Sequence, residues 1–165
     1  MKFVAGDLSD RERLERTLDD ERITHVIHLA ALLTPACQND PYAATAVNVL
    51  GSVAIFEAIR KRSTIIRGLS YASSLAVYGP EADDSPTLGG PASTVTNQPP
   101  TFYGATKKAV ELLAHQYWVH HRIGSVGIRP HVVYGPERNQ GISAGPSLAA
   151  RAAALGETYT IGFQG

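Results

Sequence analysis

A disulfide framework is excluded at once, because the 165 residues hold one cysteine, Cys37, and a single thiol suits a reducing compartment. Neither sign of charge prevails, with 15 Lys and Arg against 15 Asp and Glu. A nucleic-acid surface needs a basic excess or stripe, and an acidic solvating tail needs the reverse. No uninterrupted apolar run approaches the roughly 20 residues of a membrane span. Asp7 interrupts the opening Met1 to Gly6 before the core of a secretory leader forms. Internal repeats and low-complexity tracts are missing as well. These absences predict a soluble cytoplasmic chain that binds neither nucleic acid nor membrane. What is present is 44% hydrophobic and 18% charged, enough apolar material for a core and too little charge for disorder. The length suits one domain.

Strand and helix signals alternate along the chain. Phe3-Val4-Ala5 is a short apolar stretch that stops at Gly6-Asp7-Leu8. Ser9, with Glu12 three residues on, reads as a helix N-cap. Leu14 and Leu18 give that helix its apolar edge. His25 to Ala30 reads as a buried strand, and Tyr42 to Arg60 as a helix with Val47, Leu50, Val53, Ala54 and Ala58 at helical spacing. Arg67 to Ala72 is a second strand, entering Ser73-Ser74. Residues 79 to 101 carry Pro80, Pro86, Pro91, Pro99 and Pro100 and read as a long surface loop, with Asp83 and Asp84 solvated in it. A helix is expected from Phe102 to His121, with Ala109, Leu112, Leu113 and Tyr117 on one side. Ser125 to Pro130 reads as a strand turning through Tyr134-Gly135-Pro136, Ser147 to Leu155 as a helix that Ser147 could cap, and Thr158 to Phe163 as a strand start. The alternation predicts an α/β fold with a parallel sheet, whose ligands bind at the carboxyl ends of the strands.

Tyr103-Gly104-Ala105-Thr106-Lys107 carries the chemistry. Residues i and i+4 share a helix face, so a phenol and an ammonium can meet one ligand together. A tyrosine of pKa about 10 is a poor base at neutral pH, and a nearby cation lowers that value. A phenol so tuned can take a proton from an alcohol or return it to a carbonyl. Alone the spacing is common, and a surface Tyr/Lys pair on an amphipathic helix accounts for it better. Ser74, at a strand end, can hydrogen-bond the reacting oxygen, or simply make a turn. His28-Leu29-Ala30-Ala31 ends another strand with small residues that would let a ligand approach the backbone, or it is plain buried strand. Gly51, inside a helix at a cost of about 1 kcal/mol against alanine, points to close packing.

Taken together and in this order, Gly6-Asp7-Leu8, His28 to Ala31, Asn48 to Ser52, Ser73 to Gly79, Tyr103 to Lys107, and Arg129-Pro130 through Pro136 resemble the extended short-chain dehydrogenases/reductases, the NAD-dependent epimerase/dehydratase family. The resemblance implies a Rossmann-like doubly wound parallel sheet and an NAD(P) cofactor, NAD favoured. It implies Tyr103 as general acid/base, Lys107 as the group that lowers its pKa and binds the nicotinamide ribose, and Ser74 as the catalytic hydroxyl. It implies cofactor contacts from Asp7, Leu8, Leu29, Ala30, Ala31, Asn48, Tyr103, Lys107, Pro130 and His131. It further implies a homodimer through the helix after Asn48 and the helix bearing Tyr103, with Val110, Leu113 and Trp118 as contacts.

The chain departs from the family in two respects. It contains no G-x-x-G-x-x-G turn, the element that sets backbone N–H groups against the pyrophosphate. The expectation is a sheet truncated at both ends: residues 1–140 as the dinucleotide-binding core without its first strands, 141–165 as the start of a substrate lobe. A bare apolar strand edge and weak or no dinucleotide binding by these residues alone would follow. Val132 stands where nucleotide-sugar enzymes of the family usually have asparagine, which shifts the reading toward smaller hydroxy compounds. His120 and His121 are adjacent and point apart on a helix, so no metal is expected. The functional expectation is hydride transfer at a hydroxyl or carbonyl carbon of a small molecule. The alternative is a catalytically silent remnant serving as a binding or assembly module.

Overall fold

The computed structural model describes residues 2–79, 98–139 and 144–160. The expected loop, including Asp83 and Asp84, therefore lies mostly outside the described residues, as does the end of the expected strand at Thr158 to Phe163. The chain forms two compact units, residues 1–129 and 130–165. The expected lobe boundary at 140/141 falls beside residues 140–143, which are also outside those described.

In the first unit three strands, β1 (His25–His28), β2 (Gly68–Ala72) and β3 (Val126–Ile128), pair in parallel in the order β1-β2-β3. Their carboxyl ends therefore point the same way, and the segments that follow β1 and β2 share one rim. Among the described residues β1 is an edge, and Ile27 on it is 73% exposed. The apolar stretch at Phe3 to Ala5 joins no strand ladder among the described residues.

Helix α1 (Arg11–Asp20) begins one residue later than expected. Asp10, not Ser9, is the N-cap, its carboxylate accepting from the Arg13 amide at 3.0 Å. Ser9 instead donates its own N–H to Asp7 Oδ1 at 2.8 Å. The helix α2 (Thr34–Asn39) was not anticipated. The expected Tyr42 to Arg60 helix is three pieces in one run: α3 (Pro41–Ala44), a π-helical stretch Thr45–Leu50, and α4 (Gly51–Lys61). By length and hydropathy Pro41–Lys61 would pass for a membrane span, although polar residues interrupt it. Half of it is buried inside this protein, and Ile55, Phe56, Ala58 and Ile59 are core. Gly51 sits where an added Cβ would lie 3.3 Å from Leu8 Cδ1, the close packing its helix cost implied.

Helix α5 (Phe102–His121) has the expected bounds and is capped by Thr101, whose hydroxyl accepts from Gly104 N–H at 3.0 Å. Its buried stripe, however, is Gly104, Thr106, Lys107, Val110 and Ala114. Leu112, placed on the core side by its apolarity, is 59% exposed. Val110, expected at a dimer contact, is packed in the core at 3% exposure beside Ile55 and Tyr71. Phe56 stacks on Tyr117, ring centroids 4.7 Å apart, and joins the two helices.

In the second unit, α6 (Gly145–Leu155) starts two residues before Ser147. Ser147 is therefore not its cap; the Ser147 hydroxyl accepts the Gly135 N–H at 3.0 Å and closes the turn at Tyr134-Gly135-Pro136. These residues, with Arg138 and Arg151, line a cavity of about 380 Å³.

Candidate active site

Of three consecutive residues at the end of β2, two are hydrogen-bonded to α5 and the third faces it. Lys107 Nζ donates to the carbonyl oxygen of Ala72 at 2.7 Å. The Ser73 hydroxyl donates to Glu111 Oε1 at 2.6 Å. The Ser74 hydroxyl faces the Tyr103 phenol and favours its ionised form. The helix can do this because residues 103, 107 and 111 follow one another at i, i+4 and i+8 on a single face.

The approach needs glycine at 104. A Cβ there would lie 2.1 Å from the Ala76 carbonyl oxygen and 2.9 Å from Pro99 Cβ, so any side chain would push the helix away from the turn carrying Ser74. That turn is a 3-10 segment, Leu75–Val77, which Ser74 caps by accepting from Ala76 N–H at 3.1 Å.

Electrostatics at the pair differ from the expectation. Burial pushes the Tyr103 phenol above its usual pKa, while the Ser74 hydroxyl works the other way. The ammonium of Lys107 lies 5.7 Å from the centre of the Tyr103 ring and is engaged with Ala72. It is not among the groups that shift Tyr103. Burial in turn pushes Lys107 below its usual range. In this arrangement Ser74, rather than Lys107, is what favours phenolate.

Asn48, in the π-helical stretch, is buried and fully engaged within the protein. Its carboxamide oxygen accepts from Leu32 N–H at 2.7 Å, and its NH2 donates to Leu32 O at 3.1 Å and Thr106 Oγ1 at 3.0 Å. It thereby ties the segment after β1, which contains Leu29, Ala30 and Ala31, to the helix bearing Tyr103. Cys37 packs beside it, its thiol donating to Leu32 O and raised in pKa by burial. His28, last in β1, pairs its Nε2 with Ser52 Oγ at 2.9 Å. Burial, with help from the Lys107 charge, lowers its pKa from 6.5 to about 4.

Of the other predicted residues, Leu29 and Ala30 are exposed at the rim and Ala31 half-buried. Asp7 is exposed, its carboxyl held below the usual range by the Ser9 N–H. Leu8 beside it packs on Gly51, and both border a groove of about 170 Å³. Pro130 and His131 begin the second unit. The sequence reading missed Glu111, Thr106 and Gly104. The signal for Glu111 was available, since it continues the Tyr103/Lys107 stripe by one more turn.

The model of the NAD dependent epimerase/dehydratase family matches residues 1–162. UDP-glucuronate 4-epimerase 6 of Arabidopsis thaliana is 35% identical over 137 residues, covering 81% of this chain and 28% of its own length. Among solved structures, a monomeric L-threonine 3-dehydrogenase from a metagenome superposes with a TM-score of 0.76 at 27% identity, over 92% of this chain and 48% of that one. UDP-glucose 4-epimerase from Brucella ovis, solved with NAD, gives 0.66 at 28% identity, over 81% and 38%. The chain thus spans about a third of the curated relatives it matches and up to half of these structures.

Proposed function

From the premise that this chain belongs to the NAD-dependent epimerase/dehydratase family, we propose that it supplies the proton-transfer site of an oxidoreductase acting at a hydroxyl or carbonyl carbon. The observation that carries this is the packing of the first turns of α5 on the end of β2, which sets Tyr103 and Lys107 beside Ser74. Tyr103 Oη is the atom at which a substrate hydroxyl loses its proton or a carbonyl gains one. Ser74 faces that oxygen and favours the phenolate. Lys107 is fixed by Ala72 and keeps two further N–H donors. Tyr103→Phe removes only the proton-transferring oxygen.

The donor set suits a nicotinamide dinucleotide. Asp7 offers an ionised acceptor for an adenine amino group, with Leu8 beside it. The open main chain at Leu29 to Ala31 suits ribose and pyrophosphate, Lys107 suits the hydroxyls of the nicotinamide ribose, and Pro130 and His131 are assigned to the nicotinamide by resemblance. Asn48, having its carboxamide engaged, serves by holding Leu32 in place. Bound there, NAD supplies the hydride acceptor.

The substrate is a sugar-like or small hydroxy compound, with Val132 favouring the smaller class. The missing glycine turn speaks for the silent binding module, and the intact Ser74, Tyr103 and Lys107 set speaks against it. A homodimer through α4 and α5 is part of this reading, with exposed Leu112, Trp118 and Val119 and half-buried Leu113 in place of Val110; sedimentation velocity reads it directly. The decisive experiment offers NAD with UDP-glucuronate, UDP-glucose and L-threonine to the chain and to the longest reading frame containing it. Net NADH formation identifies a dehydrogenase, and epimer formation without net NADH identifies an epimerase. No conversion of any compound by either protein overturns the proposal.

A further inference from the structure

We infer that the Glu111–Arg129 ion pair is a positioning device for the turn that carries Ser74, holding it against the first turn of α5 and so beside Tyr103; this rests on the function proposed above. Arg129 follows β3 directly and clamps Glu111 with two hydrogen bonds, Nε to Oε1 at 2.6 Å and Nη2 to Oε2 at 2.7 Å. Such a fork fixes both partners in one plane and orientation. The clamped carboxylate accepts the Ser73 hydroxyl at 2.6 Å, and Ser73 N–H donates to Ile128 O at 2.7 Å. Ser73 is therefore held at both its backbone and its side chain. It is buried, and Ser74 is the next residue.

The same guanidinium secures the other side of the turn. Arg129 Nη1 donates to the Tyr78 hydroxyl, and its plane lies 4.9 Å from the Tyr78 ring centre. Tyr78 N–H donates to Leu75 O at 3.0 Å. The segment from Ser74 to Tyr78 is thus gripped before and after by groups that converge on one ion pair. Extended backbone at Ser74 (φ −164°, ψ 157°) sends its side chain to the opposite face from Ser73, so Glu111 acts on Ser74 through the backbone. Lys108 lies 3.9 Å from Glu111, and the Glu111 charge also reaches Tyr71. Burial opposes the Glu111 carboxylate, but the bonds from Arg129 and Ser73 outweigh it and keep the carboxyl below its usual range.

Positioning and charge predict opposite signs at Tyr103, and this makes the inference testable without a substrate. Removing a negative charge stabilises nearby phenolate and lowers the phenol midpoint. Releasing Ser74 removes a group that favours phenolate and raises it. The probe is carbon-13 NMR of the tyrosine Cζ atoms, the Tyr103 signal being identified by its loss in Tyr103→Phe. Groups facing Tyr103 are Ser74, Cys37 and Lys107. Glu111→Gln sets an amide NH2 against the guanidinium and opens the fork. Ser73→Ala removes the link alone and serves if Glu111→Gln does not fold.

Both variants are expected to raise the Tyr103 midpoint by about half a pH unit, a roughly threefold loss of phenolate, and neither should add to the rise caused by Ser74→Ala. At neutral pH the Tyr103 Cζ shift should move the same way in all three, reading the approach of Ser74 without titration. A lowered or unmoved midpoint in both variants, while Ser74→Ala raises it, overturns the inference and leaves the Ser74–Tyr103 pairing standing. If Ser74→Ala itself leaves the midpoint in place, the pairing is wrong and the inference falls with it.

Discussion

Asn48 donates to the hydroxyl of Thr106 at 3.0 Å, across 58 residues of sequence. The same carboxamide bonds both main-chain polar groups of Leu32, and Thr106 returns its own proton to Tyr103 O at 2.8 Å. One buried side chain therefore couples the rim after β1 to the first turn of α5. A satisfied buried network of this kind specifies a single geometry, and breaking it exposes the cost of each abandoned partner.

Asn48→Ala should accordingly destabilise the chain by about 2–4 kcal/mol, since the Leu32 amide and carbonyl lose their partner in a dry site. Amide exchange at Leu32 should accelerate well beyond what the change in global stability gives. Urea melts and residue-resolved hydrogen exchange test this together. Exchange at Leu32 that merely follows global unfolding would show that Asn48 does not hold this segment.

Gly104→Ala forces a methyl into a space where the Ala76 carbonyl oxygen is 2.1 Å away. Backbone cannot rotate aside as a long side chain can, so a loss of about 1–3 kcal/mol or more is expected. Tyr103 should also lose Ser74, which the Tyr103 Cζ shift would register. Gly51→Ala meets Leu8 Cδ1 at 3.3 Å and Leu8 Cβ at 3.4 Å, with the backbone no nearer than Ala46 O at 3.9 Å. The terminal methyl of Leu8 can yield, and helix propensity regains about 1 kcal/mol, so that variant should sit near the parent. A melting-temperature ranking of the two variants decides the point.

Tyr103→Phe should leave the melting curve close to that of the parent and reduce turnover in any converting assay by about 10²–10⁴-fold, the usual contribution of a positioned acid/base. The expectation rests on the proposed function. Retained turnover would remove Tyr103 from the mechanism while leaving the family assignment untouched.

What the sequence made legible follows physical range. The three strands, the bounds of α5 and the close approach at Gly51 are visible because periodicity, capping and glycine are local signals. Ser74 and Tyr103 could be paired only because several weak motifs occurred together. Asp10 displaced Ser9 as cap because two neighbouring side chains can both accept from a first-turn N–H, and sequence gives no means of ranking their geometry. The engagement of Lys107 with Ala72, and of Glu111 with Ser73 and Arg129, depends on how α5 lies across the end of β2. That is a tertiary fact, carried by residues 18 to 38 positions apart. A role for Asn48 was readable, but its partners Leu32 and Thr106 were not, and they make it a brace rather than a free hand for a ligand.

His28 gives the fold a dependence on acid whose sign can be worked out. Its pKa falls from 6.5 in the open chain to about 4 in the folded one, because burial, and then the Lys107 charge, oppose its cation. Between those values the unfolded chain binds the proton and the folded chain does not, so unfolding takes up protons and stability falls as pH drops. The stabilisation is whole above about pH 6.5 and is lost progressively down to about pH 4, amounting to about 2–3 kcal/mol at most. Carboxylates held low by ion pairs, such as Glu15 with Lys61 and Arg62, lose their contribution at lower pH. The test is the difference between parent and His28→Gln, which keeps a polar partner for Ser52 but cannot gain that proton. Urea midpoints of the two should run parallel near neutral pH and converge on acidification, the parent falling faster. If they fall in parallel through that window, His28 titrates normally, and burial is not keeping it neutral.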